Sequence, residues 1–335
     1  MGTTSLRGPL TMQRTLLVLG CLSALLLVVV IAGLSVGSVG IPFSRMLDVL
    51  LGGATESDRT ILLTIRLPRV LLAALVGAGL SIAGVVFQAM LRNPLAEPYI
   101  LGISSGGTIG AILAIGFSVG ASHITTPAAS FIGSGLVMLL VYAIAQRRGK
   151  LDTFTLLLAG VMIGAFFNAA VLMLIAVFNQ ELRNAFLWLM GNLSSASMES
   201  LVVVAPFLIA SCVLLLFHGR SFNLISTGDE TAMQLGVEVT KVKRRAYLLA
   251  SLITGLVVSV SGVIGFVGLI IPHICRMLFG PDHRLLLPAS CLLGASFLIV
   301  ADIISRTALA PTEIPVGAVT AAIGAPVFIY LLRKS

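Results

Sequence analysis

Prolines, together with polar residues that could do chemistry, interrupt two otherwise apolar stretches of this chain. In Val263–Gly280 these residues are Pro272, His273 and Arg276, and in the other stretch they form the run Arg92–Pro98, which reads RNPLAEP. A backbone that turns at membrane depth is tolerated only where protein or water satisfies its freed polar groups. Breaks of this kind are typical of a path through a membrane protein.

The other reactive side chains do not form a catalytic or metal-binding pattern. His273 has no partner ligand at a useful spacing, and Arg276 follows it by one helical turn. The four cysteines are Cys21, Cys212, Cys275 and Cys291. Each lies in an apolar run without metal-ligand spacing, which predicts small buried hydrophobic residues. We therefore predict no catalytic residue, no bound metal and no cofactor, and we predict that the chain is not an enzyme.

The composition indicates a polytopic membrane protein. The chain has 335 residues, of which 58% are hydrophobic and 10% charged, and its mean hydropathy is +1.09. Soluble domains carry about 25% charged residues. The apolar runs are continuous and about 20 residues long, which favours membrane-spanning helices over strands. The 34 glycines, many at GxxxG spacing, predict tightly packed helices.

Ten segments have the length and composition of membrane-spanning helices, so we predict an all-α fold. They are Thr15–Gly37, Val70–Leu91, Tyr99–Gly120, Pro127–Ala145, Phe154–Phe178, Leu201–Phe217, Ala246–Ser261, Ile264–Phe279, Leu285–Ser305 and Pro315–Leu332. A short interfacial helix is predicted at Ala185–Asn192, which carries Trp188. Residues 1–13 are predicted to be a cytoplasmic tail, and residues 14–335 a single transmembrane domain.

The basic residues predict the orientation. With the N-terminus inside, most of the 21 Lys and Arg residues fall on cytoplasmic segments, as the positive-inside rule requires. Both termini are then cytoplasmic. The net charge of +8 follows from the same bias, so we predict a membrane but no nucleic acid among the partners.

The sequence contains no recognisable nucleotide-binding motif that could power movement of a substrate across the membrane. A phosphate-binding loop has the pattern G-x-x-x-x-G-K-[ST], but Gly149-Lys150 is followed by Leu151, and Ile144 stands where the first glycine belongs. Few ionisable groups lie in the predicted spans, and Asp302 is placed at an outer end, so a proton relay has little support. Two hypotheses remain: transport driven by a separate ATPase, and an ion-gradient-driven secondary transporter.

The longest polar segment on the predicted inner side is His218–Arg245. Thr227 and Glu230 have the spacing of a capping box, and Gly236 is typical of a helix end. This pattern predicts a short helix over Gly228–Leu235, which would lie across the cytoplasmic face and contact a partner protein. The contacts that we predict for it are Ala232, Met233 and Leu235.

A set of motifs spread along the chain resembles one transporter family. The motifs are Arg66-Leu67-Pro68-Arg69, Gly77-Ala78-Gly79-Leu80, Asn93–Pro98, Leu101–Gly106, Leu235-Gly236, Gly265–Leu269, Pro272–Arg276, Glu313–Gly317 and Gly324-Ala325-Pro326. In combination they resemble the FecCD-type permease subunits of type II ABC importers, which carry iron-siderophores, haem and vitamin B12. The resemblance covers nearly the whole chain beyond the N-terminal tail.

The resemblance implies a fold like that of the vitamin B12 importer permease, with ten helices and a central pathway in a homodimer or a pair with a paralogous permease. It also implies two ATP-binding cassette ATPase subunits on the cytoplasmic side, an extracytoplasmic substrate-binding protein, and a metal chelate as substrate. The implied location is the bacterial cytoplasmic (inner) membrane, and the implied mechanism is alternating access driven by the ATPases.

The resemblance also implies roles for particular residues. Coupling helices at about 221–240 would dock into the ATPases. Their implied contacts are Asp229, Glu230, Ala232, Gln234, Leu235 and Gly236. Asn93 and Leu95 would form the cytoplasmic translocation gate. The outer arginines Arg66, Arg69 and Arg306 would dock the binding protein, as exposed charges at the rim.

Overall fold

A computed structural model describes residues 10–37, 40–117, 124–147, 149–177 and 188–334, and these residues are almost entirely helical. The helices of the first half are α1 (Met12–Ser35), α2 (Phe43–Leu51), α3 (Glu56–Leu91), α4 (Ile103–Gly116), α5 (Thr125–Ala145) and α6 (Thr153–Val177). Those of the second half are α7 (Met198–Leu216), α8 (Gly219–Thr227), α9 (Asp229–Gln234), α10 (Val239–Ser261), α11 (Val267–Phe279), α12 (His283–Thr307) and α13 (Val316–Lys334).

The prediction of an all-α polytopic membrane protein is confirmed. Among the described residues, seven helices are long and apolar enough to cross a membrane, and three shorter apolar helices accompany them. These ten helices correspond to the ten predicted segments, and most of their ends are displaced by a few residues, but α3 and α10 begin well before the predicted Val70 and Ala246. Of the predicted tail, residues 1–9 lie outside the described part of the chain, and α1 begins at Met12. Of the interfacial helix predicted at Ala185–Asn192, residues 185–187 lie outside the described part, and within the remainder only Trp188 and Leu189 are helical.

Three local elements were not predicted. One is α2, and another is the short hairpin in which β1 (Gln146–Arg147) pairs antiparallel with β2 (Lys150–Leu151). The third is the early start of α3, which begins at Glu56 rather than near Val70. Its segment Thr60–Arg66 is π-helical and ends two residues before Pro68. A widened turn is one way for a helix to accommodate a local irregularity such as a proline.

The core is built around α3, which packs against α10, α11 and α12. Glycine makes the closest approaches possible. A methyl group at Gly77 would overlap the carbonyl oxygen of Gly294 on α12, and one at Gly84 would overlap that of Gly268 on α11. Small residues allow helix backbones to approach this closely. The glycine pattern therefore fixes α3 between α11 and α12, the helices that carry the candidate site.

The cysteines follow the prediction only in part. Cys212 and Cys275 are buried, and Cys291 is partly buried, but Cys21 is exposed on α1. The prediction that all four are buried is therefore wrong for Cys21. Its helix has a largely exposed apolar surface, because only 22% of its most apolar window is buried within the chain.

Candidate functional site

The two polar breaks in the sequence meet in space. The Glu97 carboxylate accepts a hydrogen bond from the backbone N–H of Phe266 at 2.7 Å, and the Tyr99 hydroxyl accepts one from the N–H of Ile264 at 3.2 Å. Phe266 adopts a left-handed backbone conformation with φ of 70°, which is rare for a bulky residue. Side chains of the first break thus satisfy backbone groups that the second break frees, as expected for irregular backbone buried in protein.

Gln88 joins the same two regions from within α3. Its side-chain amide lies 3.4 Å from the carbonyl oxygens of both Gly268 and Leu269, and 3.3 Å from that of Ala96. Its carbonyl oxygen accepts a hydrogen bond from the Arg276 guanidinium at 2.8 Å. Gln88 is only 3% exposed, and its hydrogen bonds hold α3 and α11 together.

The predicted gate residues lie in the tight turn that ends α3. Arg92 takes a left-handed conformation with φ of 48°, and the Asn93 side-chain oxygen accepts the N–H of Leu95 at 2.9 Å. Leu95 is 44% exposed. A cavity of about 560 Å³ adjoins this turn and is lined by Asn93, Arg276 and other residues. The turn is therefore well ordered by its own hydrogen bonds, and the role of Asn93 and Leu95 as a gate stays a prediction.

The segment of the predicted coupling helices, at about 221–240, contains two short helices, α8 and α9, where the capping pattern predicted one helix over Gly228–Leu235. The predicted capping box is wrong, because the Thr227 hydroxyl donates to the carbonyl of Leu224 within α8. The residue that precedes α9 is Gly228, with φ of 134°, and it has no side chain with which to cap the helix. The glycine predicted at the helix end is confirmed, since Gly236 has φ of 85°.

The exposed surface of α9 is smaller than predicted. Ala232 is fully buried and packs with Ile225 and Val239 in a small apolar cluster separate from the main core. It is therefore a packing residue and not a surface contact. Met233 and Leu235 are 50% and 61% exposed. Glu230, Gln234 and Gly236 are also exposed, so the apolar surface offered to a partner consists of Met233 and Leu235.

Polar contacts join α8 and α9 to the membrane-spanning helices. The Asn223 amide donates to Asp282 at 2.8 Å, and its oxygen accepts the N–H of His283 at 2.8 Å. Hydrogen bonds from the Arg284 side chain hold the pKa of the Asp282 carboxyl well below its usual range. On α9, Asp229 is paired with Lys243 of α10 at 2.6 Å. The Asp229 carboxylate is thus already engaged in an ion pair within the chain, with only part of it left for a partner protein.

The three predicted docking arginines are buried, and the expectation that they are exposed rim charges is wrong. Arg66, Arg69 and Arg306 are 4%, 5% and 6% exposed. Arg69 pairs with Asp302 at 2.8 Å and with Glu313 at 2.9 Å. Arg306 lies 3.1 Å from the other oxygen of Asp302. We call Arg69, Asp302, Arg306 and Glu313 the outer charge cluster.

The C-terminal end of α1 supplies the remaining hydrogen-bond partners of the buried arginines. The Arg66 guanidinium donates to the carbonyls of Leu34 and Ser35, at 2.8 Å and 2.9 Å, and Arg306 donates to that of Gly33 at 3.0 Å. The last carbonyls of a helix have no partner within the helix and carry partial negative charge. The C-terminal end of α1 therefore attracts both arginines into the protein, which explains their burial.

Sequence reasoning missed the partners of these charges. Asp302 was considered only as a candidate for proton transfer, whereas the structure places it fully buried between two arginines. Glu97 and Tyr99 were not assigned a role. The Asn93–Pro98 and Glu313–Gly317 motifs contain two of the acidic residues, but a motif does not show which residue its side chain contacts.

The fold and the site together define a multi-pass helical membrane protein of the transport permease class. The model of the FecCD transport family matches residues 25–334. The chain belongs to the FecCD transport family, and the predicted resemblance is confirmed. As a member of this family it is a transport subunit and not an enzyme.

Relatives and a solved structure agree with this assignment. The chain is 44% identical over 281 residues to the cobalamin import system permease protein BtuC of Halobacterium salinarum, covering 84% of this chain and 75% of that protein. It is 40% identical over 326 residues to the hemin transport system permease protein HmuU of Yersinia pestis, covering 95% and 96%. A solved inward-facing putative metal-chelate type ABC transporter superimposes with a TM-score of 0.86 at 31% identity, covering 95% and 99%.

The outer charge cluster leads to a stability prediction. Asp302→Asn leaves the buried Arg69 and Arg306 without their shared carboxylate, and breaking a buried ion pair in this way costs about 3–5 kcal/mol. We expect a markedly lower melting temperature of the purified protein in detergent, measured by the fluorescence of a thiol-reactive or intrinsic probe.

The matched control is Glu313→Gln. Glu313 also pairs with Arg69, but its side chain is 44% exposed, so we expect a loss of less than about 1 kcal/mol. Equal melting temperatures for the two variants would show that the cluster does not stabilise the fold.

Proposed function

We propose that the chain is the membrane-spanning permease subunit of an ATP-driven importer of a metal chelate. Two ATPase subunits and an extracytoplasmic substrate-binding protein complete the transporter, and the second permease is another copy of this chain or a paralogue. The transporter lies in the bacterial inner membrane, with both termini of this chain in the cytoplasm. The observation that carries the proposal is the FecCD family match over residues 25–334, together with relatives named for hemin and cobalamin transport.

The surface of α6 supports a second permease chain. Only 11% of its most apolar window is buried within this chain, and Phe166, Leu172 and Met173 are 69%, 68% and 71% exposed. An apolar surface of this extent needs an apolar environment. Lipid supplies it on one side, and in our proposal the second permease covers the rest.

The proposed mechanism is alternating access. ATP binding brings the ATPases together, and they displace α9, whose exposed Met233 and Leu235 contact them. The displacement reorients the helices that line the pathway and opens the turn that contains Asn93 and Leu95. The alternative of an ion-gradient-driven transporter loses support, because Asp302 is occupied by two arginines and the relatives compared above are not named as secondary transporters.

Glu313 provides a route by which buried arginines take part in docking. It is the exposed carboxylate of the outer charge cluster, whereas Asp302 is fully buried. A carboxylate of the binding protein approaching from outside would take the place of Glu313 on Arg69. With Glu313 displaced, Arg69 and Arg306 together exceed Asp302 by one positive charge, and Arg66, whose charge acts on Arg306, adds another. These arginines would then contribute through a positive potential that steers association.

Reconstitution tests the proposed function. Vesicles that contain this chain, the ATPase and the binding protein are expected to accumulate labelled ferric siderophore, haem or cobalamin only when ATP is present on the ATPase side. Comparison of the three substrates identifies the chelate. Accumulation by vesicles that contain this chain alone would contradict the proposal.

The ATPase contact is tested with Leu235→Asp. A charge on the exposed apolar surface of α9 would have to be desolvated on docking, so we expect the ATPase to be lost when the complex is purified through a tag on this chain. The control is Arg59→Gln, which changes an exposed residue on the predicted outer side. An ATPase retained in full by Leu235→Asp would show that α9 is not its docking surface.

The docking proposal is tested with Glu313→Gln. This change removes the internal competitor for Arg69, so we expect the binding protein to dock about threefold more tightly at low salt, with a smaller gain at high salt. Surface plasmon resonance with the reconstituted transporter measures the affinity. An unchanged or weaker affinity would contradict the exchange of carboxylates.

A further inference from the structure

A buried lysine joins three elements near the ATPase-facing segment. The Lys243 side chain is 3% exposed, and its ammonium group donates to Asp229 at 2.6 Å and to the Thr153 hydroxyl at 3.0 Å. Lys243 belongs to α10, Asp229 is the first residue of α9, and Thr153 is the first residue of α6. A buried ammonium group is retained in charged form only if it is paired, so these contacts hold the three elements at fixed positions.

The helix α9 has little other attachment to the membrane-spanning core. Its buried Ala232 packs in a small apolar cluster with Ile225 and Val239, apart from the main core. Its neighbour α8 is joined to the start of α12 through Asn223. The contact of Lys243 with Asp229 and Thr153 is thus a direct connection from α9 to the start of α6.

The helix α6 is suited to follow a displacement of α9. It packs against α4 and α5, but most of its apolar surface is exposed. Its first turn is held by Asp152, whose carboxylate accepts the N–H of Thr155 at 2.7 Å. A movement of Asp229 that carries Lys243 and Thr153 with it would therefore move the whole first turn of α6.

We propose that Lys243 is a positioning residue that transmits the movement of α9 to α6 during transport. The inference rests on the proposed function, in which the ATPases displace α9. It assigns the linkage to one buried ammonium group and its two partners. Lys243 itself is not exposed to a docked ATPase, so its loss affects the transmission of movement and not the docking.

The chain offers a matched control two residues away. Lys241 lies on the same helix, but its side chain is 60% exposed. Its ion pair, at 2.8 Å, is with Glu238, which is 67% exposed. An exposed pair of this kind contributes little. The variants Lys243→Met and Lys241→Met therefore remove the same charge from the same helix and differ in the connection that is lost.

The experiment uses the whole transporter in vesicles and measures three quantities: ATPase co-purification, ATP hydrolysis, and uptake of the chelate found to be transported. For Lys243→Met we expect co-purification and hydrolysis within about twofold of the unmodified complex, and uptake per ATP lowered at least about fivefold, the lower range of measured coupling between sites. For Lys241→Met we expect all three quantities unchanged.

Two further variants keep the test decisive if Lys243→Met folds poorly. Thr153→Val removes one hydrogen bond from Lys243 and leaves its ion pair with Asp229, so we expect a smaller loss of uptake per ATP in the same direction. The double variant Asp229→Asn/Lys243→Met is expected to lose no more than Lys243→Met, because residues that act through one contact are not additive.

Several results would overturn the inference. They are normal uptake per ATP in Lys243→Met or in Thr153→Val, loss of the ATPase from Lys243→Met, and additive losses in the double variant. Failure of the unmodified complex to take up any chelate with ATP would instead refute the proposed function. The two failures are thus distinguished by the unmodified complex.

Discussion

The structure depends on one constraint: an apolar surrounding offers no partner for a polar group, so the protein must supply every partner itself. The chain breaks its helices at two places and still meets this constraint. Glu97 and Tyr99 of one break accept backbone N–H groups of the other, and Gln88 supplies donors to carbonyls of α11. Each break is therefore possible only because the other lies beside it.

The same constraint explains the outer charge cluster. An arginine in this position could face water or be buried with partners, and the chain buries it. Asp302 lies between Arg69 and Arg306, while the C-terminal carbonyls of α1 accept from Arg66 and Arg306. The cluster joins α1, α3 and α12 at one end of the bundle. One of its carboxylates, that of Glu313, is exposed, and this is the partner that we propose is replaced on docking.

Much of the fold could be predicted from the sequence, because apolar length alone requires membrane-spanning helices and because the motifs of the family are specific in combination. Contacts between distant residues could not. Glu97 and Phe266 are 169 positions apart, and Arg69 and Asp302 are 233 apart. Local signals were also ambiguous: Thr227 has the spacing of a cap for α9, but its hydroxyl bonds within α8. The sequence shows that a residue needs a partner, and only the fold shows which one it has.

The two ends of the bundle are held in different ways, and the difference bears on where movement occurs. The end that holds the outer charge cluster is fixed by buried ion pairs between α3 and α12 and by hydrogen bonds from arginines to the last carbonyls of α1. Relative displacement there would leave buried charges without partners. At the other end, α8 buries Phe222 in the main core and contacts the start of α12 through Asn223. Helix α9 instead rests on a small apolar cluster and is joined to α10 through the contact of Asp229 with Lys243. Elements with few buried contacts are those that open or shift at low cost in free energy. In the mechanism that we propose, movement that begins at α9 is passed on through the contact of Lys243 with Asp229 and Thr153, while the end that holds the outer charge cluster keeps its packing and acts as the fixed point.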